Sequence, residues 1–224
     1  MRVEGVVFDF DGLILDTEGP VFTAWQEEFV AHGCAPMTIE EWSLEIGTVG
    51  GLDLVEMIRT RATIPFDEAA MHERRRVRRD ELLAREVARP GVHEWLDEAD
   101  GLGLPVAIAS SSPIEWVGEH LDQLGLRHRF AAVACFGDGI AGKPAPDTYL
   151  AACAAIDVEP RAAIAIEDSP HGVTAAKAAG LWCIAVPHAI TARLDLSHAD
   201  LRLSSLADTT LRDVIAGRER PGRR

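Results

Sequence analysis

Paired cysteines, long apolar runs and positive charge are all scarce in this chain of 224 residues. The four cysteines, Cys34, Cys135, Cys153 and Cys183, are scattered, with no C-x-x-C pair. Their mostly apolar neighbours mark them as small core residues in a reducing compartment. No apolar run approaches the length that spans a bilayer, so no membrane association is expected. The opening Met1-Arg2-Val3-Glu4-Gly5 carries an acid and leads into no long apolar segment, which argues against a secretory signal and predicts a cytoplasmic protein. Lysine and arginine together number 22 against 36 aspartates and glutamates, a formal charge of −14. So acidic a surface repels phosphate backbones and anionic membranes at long range, which excludes nucleic acid as a partner. The eight histidines are dispersed and form no H-E-x-x-H. What is present is ordinary: 47% hydrophobic and 26% charged residues, in a length that suits one large domain or a domain with an insertion.

The stretch Val6-Val7-Phe8-Asp9-Phe10-Asp11-Gly12 organises the rest. Its apolar half reads as a buried strand that stops at two aspartates and a glycine. Carboxylates are rare in strands and costly to bury, so two at a strand end call for a partner, and a hard cation suits them. In an open parallel sheet they would project into the crevice at the carboxyl ends of the strands. An acidic turn bent at Gly12 is the plainer alternative.

Beyond Glu18-Gly19-Pro20, which breaks the pattern, helices are predicted over 21–32 (stopped by Gly33), 39–46, 52–61 and 66–87. No strand interrupts them, so 18–88 is expected to form a helical cap inserted into a core of 1–17 and 89–224. Arg74, Arg75, Arg76, Arg78 and Arg79 lie in the longest helix. Among Asp67, Glu68, Glu73, Asp80 and Glu81 they read as a solvated face. The rival reading is an anion-collecting face over the site.

After Arg89-Pro90-Gly91 the pattern turns to strand and helix in alternation. Helices are expected over 92–102, 114–124, 147–155 and near 206–215, and strands over 104–109, 130–135, 161–166 and 181–186. The second strand runs into Ser110-Ser111-Ser112-Pro113, with Ser110 expected to face a ligand and Ser112 to cap the next helix. Gly137, Gly139 and Gly142-Lys143 mimic nucleotide-binding glycine patterns, but Pro144 forbids the helix that either would require. Lys143, framed by Pro144 and Pro146, reads instead as a rigidly delivered positive charge. The fourth strand ends Glu167-Asp168-Ser169, with Ser169 capping a helix that has Pro170 at its first position. His171 reads as a plain helix-start residue.

Alternating strands and helices imply a right-handed parallel sheet, an α/β fold of Rossmann type, with Asp9, Ser110, Lys143 and Glu167-Asp168 at one edge. Acids, a cation and hydroxyl donors around one cleft suit phosphoryl transfer assisted by Mg²⁺.

In order and spacing, Asp9-Phe10-Asp11-Gly12, Ser110, Lys143-Pro144 and Glu167-Asp168-Ser169 resemble the four motifs of the haloacid dehalogenase-like superfamily, in its β-phosphoglucomutase-like group of phosphatases. The resemblance implies that Asp9 attacks phosphorus and that Asp11 protonates the leaving oxygen and then activates water. It further implies that Ser110, Ser111, Gly12 and Lys143 hold the phosphoryl group. Asp168, with Glu167, would complete a magnesium site with the Asp9 carboxylate and the Asp11 main-chain carbonyl. A phosphatase acting on a small phosphate monoester is expected ahead of a phosphomutase, because Val21 and Gly50 stand where mutases place a histidine and an arginine. A dehalogenase is disfavoured by Asp11 and the magnesium acids. A phospho-accepting or Mg-binding regulatory module would not need the cap, which an enzyme uses to exclude water.

Overall fold

Every residue of β1 (Gly5–Phe8) is buried, as required of a strand covered by helices on both faces. The computed structural model describes residues 2–43 and 53–219. Around β1 lie β2 (Val106–Ser110), β3 (Ala132–Cys135), β4 (Ala163–Glu167), β5 (Trp182–Ala185) and β6 (Leu201–Arg202), in the order β3-β2-β1-β4-β5-β6. All pairings are parallel, with Phe8 opposite Ile108 on one side and Ile166 on the other. The expected α/β fold with a Rossmann-like parallel sheet is therefore the observed one. β6, only two residues long, is an addition to the predicted strands.

The two faces of the sheet are packed differently. Val6, Phe8, Ile108, Ile164, Ile166 and Ile184 meet α5 (Val92–Leu102), α6 (Ile114–Gln123) and α9 (Leu211–Glu219). On the other face Val7, Ala107, Ala109, Ala163, Ala165 and Ala185 lie under α7 (Asp147–Ala155) and α8 (Pro170–Ala179). Period-two alternation separates the sets, and the small residues let α7 and α8 approach the strands closely. All four cysteines are buried and unpaired, as their apolar surroundings predicted.

Between β1 and α5 the described elements are helices: α1 (Glu18–Ala31), α2 (Ile39–Ser43), α3 (Leu54–Arg61) and α4 (Glu68–Leu83). They share a core of their own that includes Trp25, Phe29, Trp42, Ile58 and Met71, joined by Ile190. The chain leaves and re-enters the sheet side by side: Leu15 bridges Ala88, and the Arg89 amide donates to the Ile14 carbonyl at 2.9 Å. One expectation fails here. Glu18-Gly19-Pro20 is no breaker but the first turn of α1, where proline is tolerated and the Asp16 carboxylate accepts from the Gly19 amide at 3.0 Å. Gly50, which stands where mutases place an arginine, lies outside the described residues.

Candidate active site

Where β1 ends, the Asp9 amide still donates to the Ile166 carbonyl at 2.9 Å, so Asp9 is held in line with the strand. The chain then turns at Gly12, whose φ of +80° is open to glycine and strained for other residues. A Cβ there would lie 2.6 Å from Asp168 Oδ2, so Gly12 also makes room for that acid. Its amide is used within the turn, donating to Leu15 O at 2.8 Å.

Four ionisable side chains converge next to this turn. Asp9, Lys143, Glu167 and Asp168 are 5%, 4%, 0% and 2% exposed, burial that charged groups tolerate only when paired. The Lys143 ammonium donates to both Asp9 Oδ1 and Glu167 Oε1. It also lies 5.0 Å from the centroid of the Tyr149 ring. Glu167 has neither oxygen to spare. Oε1 also accepts from the Tyr149 hydroxyl at 3.0 Å, and Oε2 accepts from the Asp168 amide, the Ser169 amide and the Ser169 hydroxyl at 3.0, 3.1 and 3.2 Å. Ser169 caps α8 as predicted, accepting from the Gly172 amide at 3.1 Å, with Pro170 at the first helical position.

Asp168 differs. Its Oδ2 is buried without a hydrogen bond. His188 Nε2 lies only 3.1 Å away, yet out of line for one, so both atoms are orphaned. Carboxylate oxygens of Asp9, Glu167 and Asp168 all fall within 4.8 Å of one another. Burial pushes the Asp9 carboxyl well above the ordinary carboxylate range, with Lys143 opposing the shift and Glu167, Asp168 and Asp11 adding to it. Burial and Glu167 likewise raise Asp168, against Lys143 and Arg89. Against its own burial, Lys143 is held above the ordinary lysine value by Asp9 and Glu167. Three clustered acids share one lysine, and one oxygen lacks a hydrogen bond; a hard cation with oxygen ligands fits that deficit. Both Glu167 oxygens already accept from Lys143, Tyr149 and the 168–169 turn, and its carboxylate also lies among the three that could hold a metal ion.

Asp11 sits apart from this cluster, facing a cavity of about 400 Å³ lined also by Asp9, Lys143, Asp168, Ser111, Thr17 and Val21. Asp11 Oδ2 accepts from the Ser112 hydroxyl at 2.7 Å and the Ser110 hydroxyl at 3.3 Å. Ser112 therefore does not cap α6, whose start carries no side-chain cap; a nearby carboxylate is the stronger partner. Ser110 is fully buried and also accepts from the Ser112 amide at 2.9 Å. Ser111 lines the cavity, and its hydroxyl accepts from the Lys143 amide at 3.0 Å. The structure thus gathers Asp9, Asp11, Ser111, Lys143 and Asp168 around the cavity, with Gly12, Ser110 and Glu167 packed behind them.

Further residues join them: Glu18 and Trp116, which the sequence did not single out, and Arg79 from the arginine run. Glu18 lines the cavity from α1, and burial, followed by Asp168 and Asp11, raises its pKa to about 7. Arg79 reaches it from α4 and Trp116 from α6. Most of the arginine run follows the solvated reading, with Arg74 paired to Glu28, Arg76 to Glu73 and Arg78 to Glu27. Arg75 stacks on Trp25 at 4.5 Å, and Arg79, paired with Asp80, lines the cavity.

A family model described as haloacid dehalogenase-like hydrolase matches residues 3–180. The chain is 37% identical over 209 residues to the protein YhcW of Bacillus subtilis, covering 93% of this chain and 94% of that one. It is 32% identical over 183 residues to the phosphorylated carbohydrates phosphatase of Thermotoga maritima, covering 80% of this chain and 82% of that one. Among solved structures, CbbY from Rhodobacter sphaeroides in complex with phosphate superposes with a TM-score of 0.74 at 32% identity, covering 94% of this chain and 98% of that one. A variant of CbbY has been solved with xylulose-(1,5)bisphosphate.

Proposed function

This chain belongs to the haloacid dehalogenase-like hydrolases as a phosphoric monoester hydrolase, and from that premise we propose that it hydrolyses a small phosphorylated sugar or polyol through an aspartyl-phosphate on Asp9, with Mg²⁺ as cofactor. The observation that supports this reading most is the convergence of Asp9, Lys143 and Asp168, from distant parts of the chain, on one cavity beside a buried carboxylate oxygen that lacks a hydrogen bond. Asp9 attacks phosphorus as the ester P–O bond breaks, and the electron pair left on the departing oxygen takes a proton from Asp11. Asp11 then removes a proton from water, whose oxygen attacks the phosphorus and releases phosphate from Asp9. Lys143 relieves repulsion between the Asp9 carboxylate and the incoming phosphoryl oxygens, and Ser111 offers them a hydroxyl. The Asp9 and Asp168 carboxylates and the Asp11 main-chain carbonyl would hold Mg²⁺, which when bound supplies charge neutralisation to the transferring group.

The helices over 18–88 act as a cap that excludes water and shapes the substrate pocket. Glu18, Arg79, Val21 and Trp116 give the cavity a hydroxyl acceptor, a donor and two apolar walls, which suits a sugar or polyol. Apolar Val21 disfavours a mutase, which must hold a reoriented phosphorylated intermediate against loss to water.

The test is a panel of phosphate monoesters including p-nitrophenyl phosphate and glucose 6-phosphate, assayed with Mg²⁺ and with EDTA, alongside Asp9→Asn. Turnover that needs Mg²⁺ and disappears in the variant is expected. Retention of more than about a tenth of kcat in Asp9→Asn would remove the covalent intermediate from the proposal, since a lost nucleophile costs orders of magnitude.

A further inference from the structure

An indole reaches Asp11. Trp116 Nε1, from α6, donates to Asp11 Oδ1 at 2.9 Å, while the Ser112 and Ser110 hydroxyls reach Oδ2 at 2.7 and 3.3 Å. The two oxygens of Asp11 are therefore not equivalent. An indole N–H donates and cannot accept, so Oδ1 is held as an acceptor towards Trp116 and the plane of the carboxyl group is fixed. A serine hydroxyl rotates and either donates or accepts, so Oδ2 can gain or lose a proton without leaving a buried group unsatisfied.

The ring is itself clamped. His120 packs against it with centroids 4.2 Å apart, and His120 Nδ1 lies 2.8 Å from the Trp116 carbonyl. From α4, the Arg79 guanidinium carbon sits 5.0 Å from the ring centroid, and the Arg79 carboxylate partner is its neighbour Asp80, at 2.7 Å. Cation–π attraction of this kind is strongest for tryptophan.

We propose that Trp116 is a positioning residue for Asp11: its N–H anchors Oδ1 and so sets the orientation in which Oδ2 meets the leaving oxygen, and Arg79, supplied by the helical insert, holds the indole in the pose that does so. This rests on reading Asp11 as the acid that protonates the leaving oxygen. It adds a contact by which the position of α4 bears on the acid as well as on the substrate.

Leaving-group dependence separates this role from a structural one. A p-nitrophenolate departs with little need of a proton, whereas the alkoxide of glucose 6-phosphate requires one. Trp116→Phe keeps the ring under Arg79 and removes the N–H. The expected result is a fall in kcat of about tenfold on glucose 6-phosphate, part of the 10²–10⁴ that general acid catalysis supplies, with p-nitrophenyl phosphate losing less than about threefold and KM little changed. Both substrates are measured on one preparation, so the ratio does not depend on how much of the variant is folded. Arg79→Met should shift the ratio the same way by a smaller factor. Asp11→Asn, run beside them, should show the largest selective loss. An equal fall on both substrates in Trp116→Phe, with Asp11→Asn still selective, overturns the positioning role and leaves the phosphatase mechanism standing. A change in KM alone for Arg79→Met overturns its part in the clamp. No selectivity in Asp11→Asn defeats the acid assignment and the inference with it.

Discussion

Lys143→Met removes the cation shared by Asp9 and Glu167 while keeping an unbranched side chain of similar length. The lysine is 4% exposed, and Glu167 has no exposure at all, so water cannot replace the lost charge. Breaking a buried pair by deleting one partner costs about 3–5 kcal/mol, because the remaining charge stays desolvated. For a domain of this size each kcal/mol moves the melting temperature by about 2–4 °C, so Tm should fall by roughly 6–20 °C at pH 8 in EDTA. The sign of the pH dependence follows from Asp9 and Asp168. Burial already raises both, Lys143 opposes that rise, and its removal lifts them further. Between the unfolded carboxylate value, about 4, and the higher folded value, the native state binds more protons than the unfolded state. Stability is therefore lost as pH rises through that window. The deficit of the variant should be small near pH 4 and complete at pH 8, and urea unfolding at the two pH values reads it directly. A deficit below about 1 kcal/mol at pH 8, or one equal at both values, would refute the premise that this lysine holds the acids together.

Glu18→Gln tests the cavity acid from the other direction. With the Glu18 pKa raised from 4.5 to about 7 by burial first and then by Asp168 and Asp11, the native state holds an extra proton between those values. Glu18 thus costs stability as pH rises through 4.5 to 7, by at most about 3.4 kcal/mol at 1.36 kcal/mol per unit. The metal-free variant should be more stable than the parent at pH 8 and indistinguishable at pH 4, by thermal unfolding; greater stability at pH 4 would reverse the argument. Gly172→Ala should destabilise by about 2 kcal/mol or more, although alanine normally gains about 1 kcal/mol over glycine within a helix. The added Cβ would lie 1.8 Å from Glu167 Oε1, an oxygen fixed by Lys143 and Tyr149, so a stabilised variant in urea unfolding would contradict the tight packing behind the acids.

The strands were legible because a parallel sheet buries both faces, which turns each central strand into an apolar run whose end is easily seen. Asp9 and Asp168 were legible for a related reason, since charge at the end of such a run is expensive and calls for a purpose, and Lys143 through its framing by Pro144 and Pro146. Position on a helix carries no such signal. Arg79 reads like its neighbours until the fold turns the side chain of α4 toward Trp116, and Trp116 reads like any apolar helix residue until its N–H meets Asp11. Local chemistry misled where a tertiary partner won. Ser112 suits a helix cap, but the Asp11 carboxylate claims its hydroxyl; Pro20 suits a break, but Asp16 ties down the turn that contains it.

Glu167 and Asp168 illustrate how far sequence spacing can carry such a reading. As adjacent acids at the end of one strand they look interchangeable, and both are natural candidates for a cation. Successive residues along an extended chain, however, point to opposite sides. Glu167, the last residue of β4, turns into the layer occupied by Tyr149 and Lys143 and fills its oxygens there. Asp168, one residue on, turns into the cavity, and its Oδ2 lacks a hydrogen bond. The alternation itself is implicit in the sequence, but which acid faces inward depends on where Asp9 N–H pairs with Ile166, and that register is set by the sheet. A one-residue slip in that pairing would exchange the two roles, placing the shorter carboxylate against Lys143 and the longer one in the cavity. The length difference then matters: Glu167 spans the distance to Lys143 and Tyr149 while its own Oε2 closes back on the Asp168 and Ser169 amides, a reach that an aspartate in its place would not have.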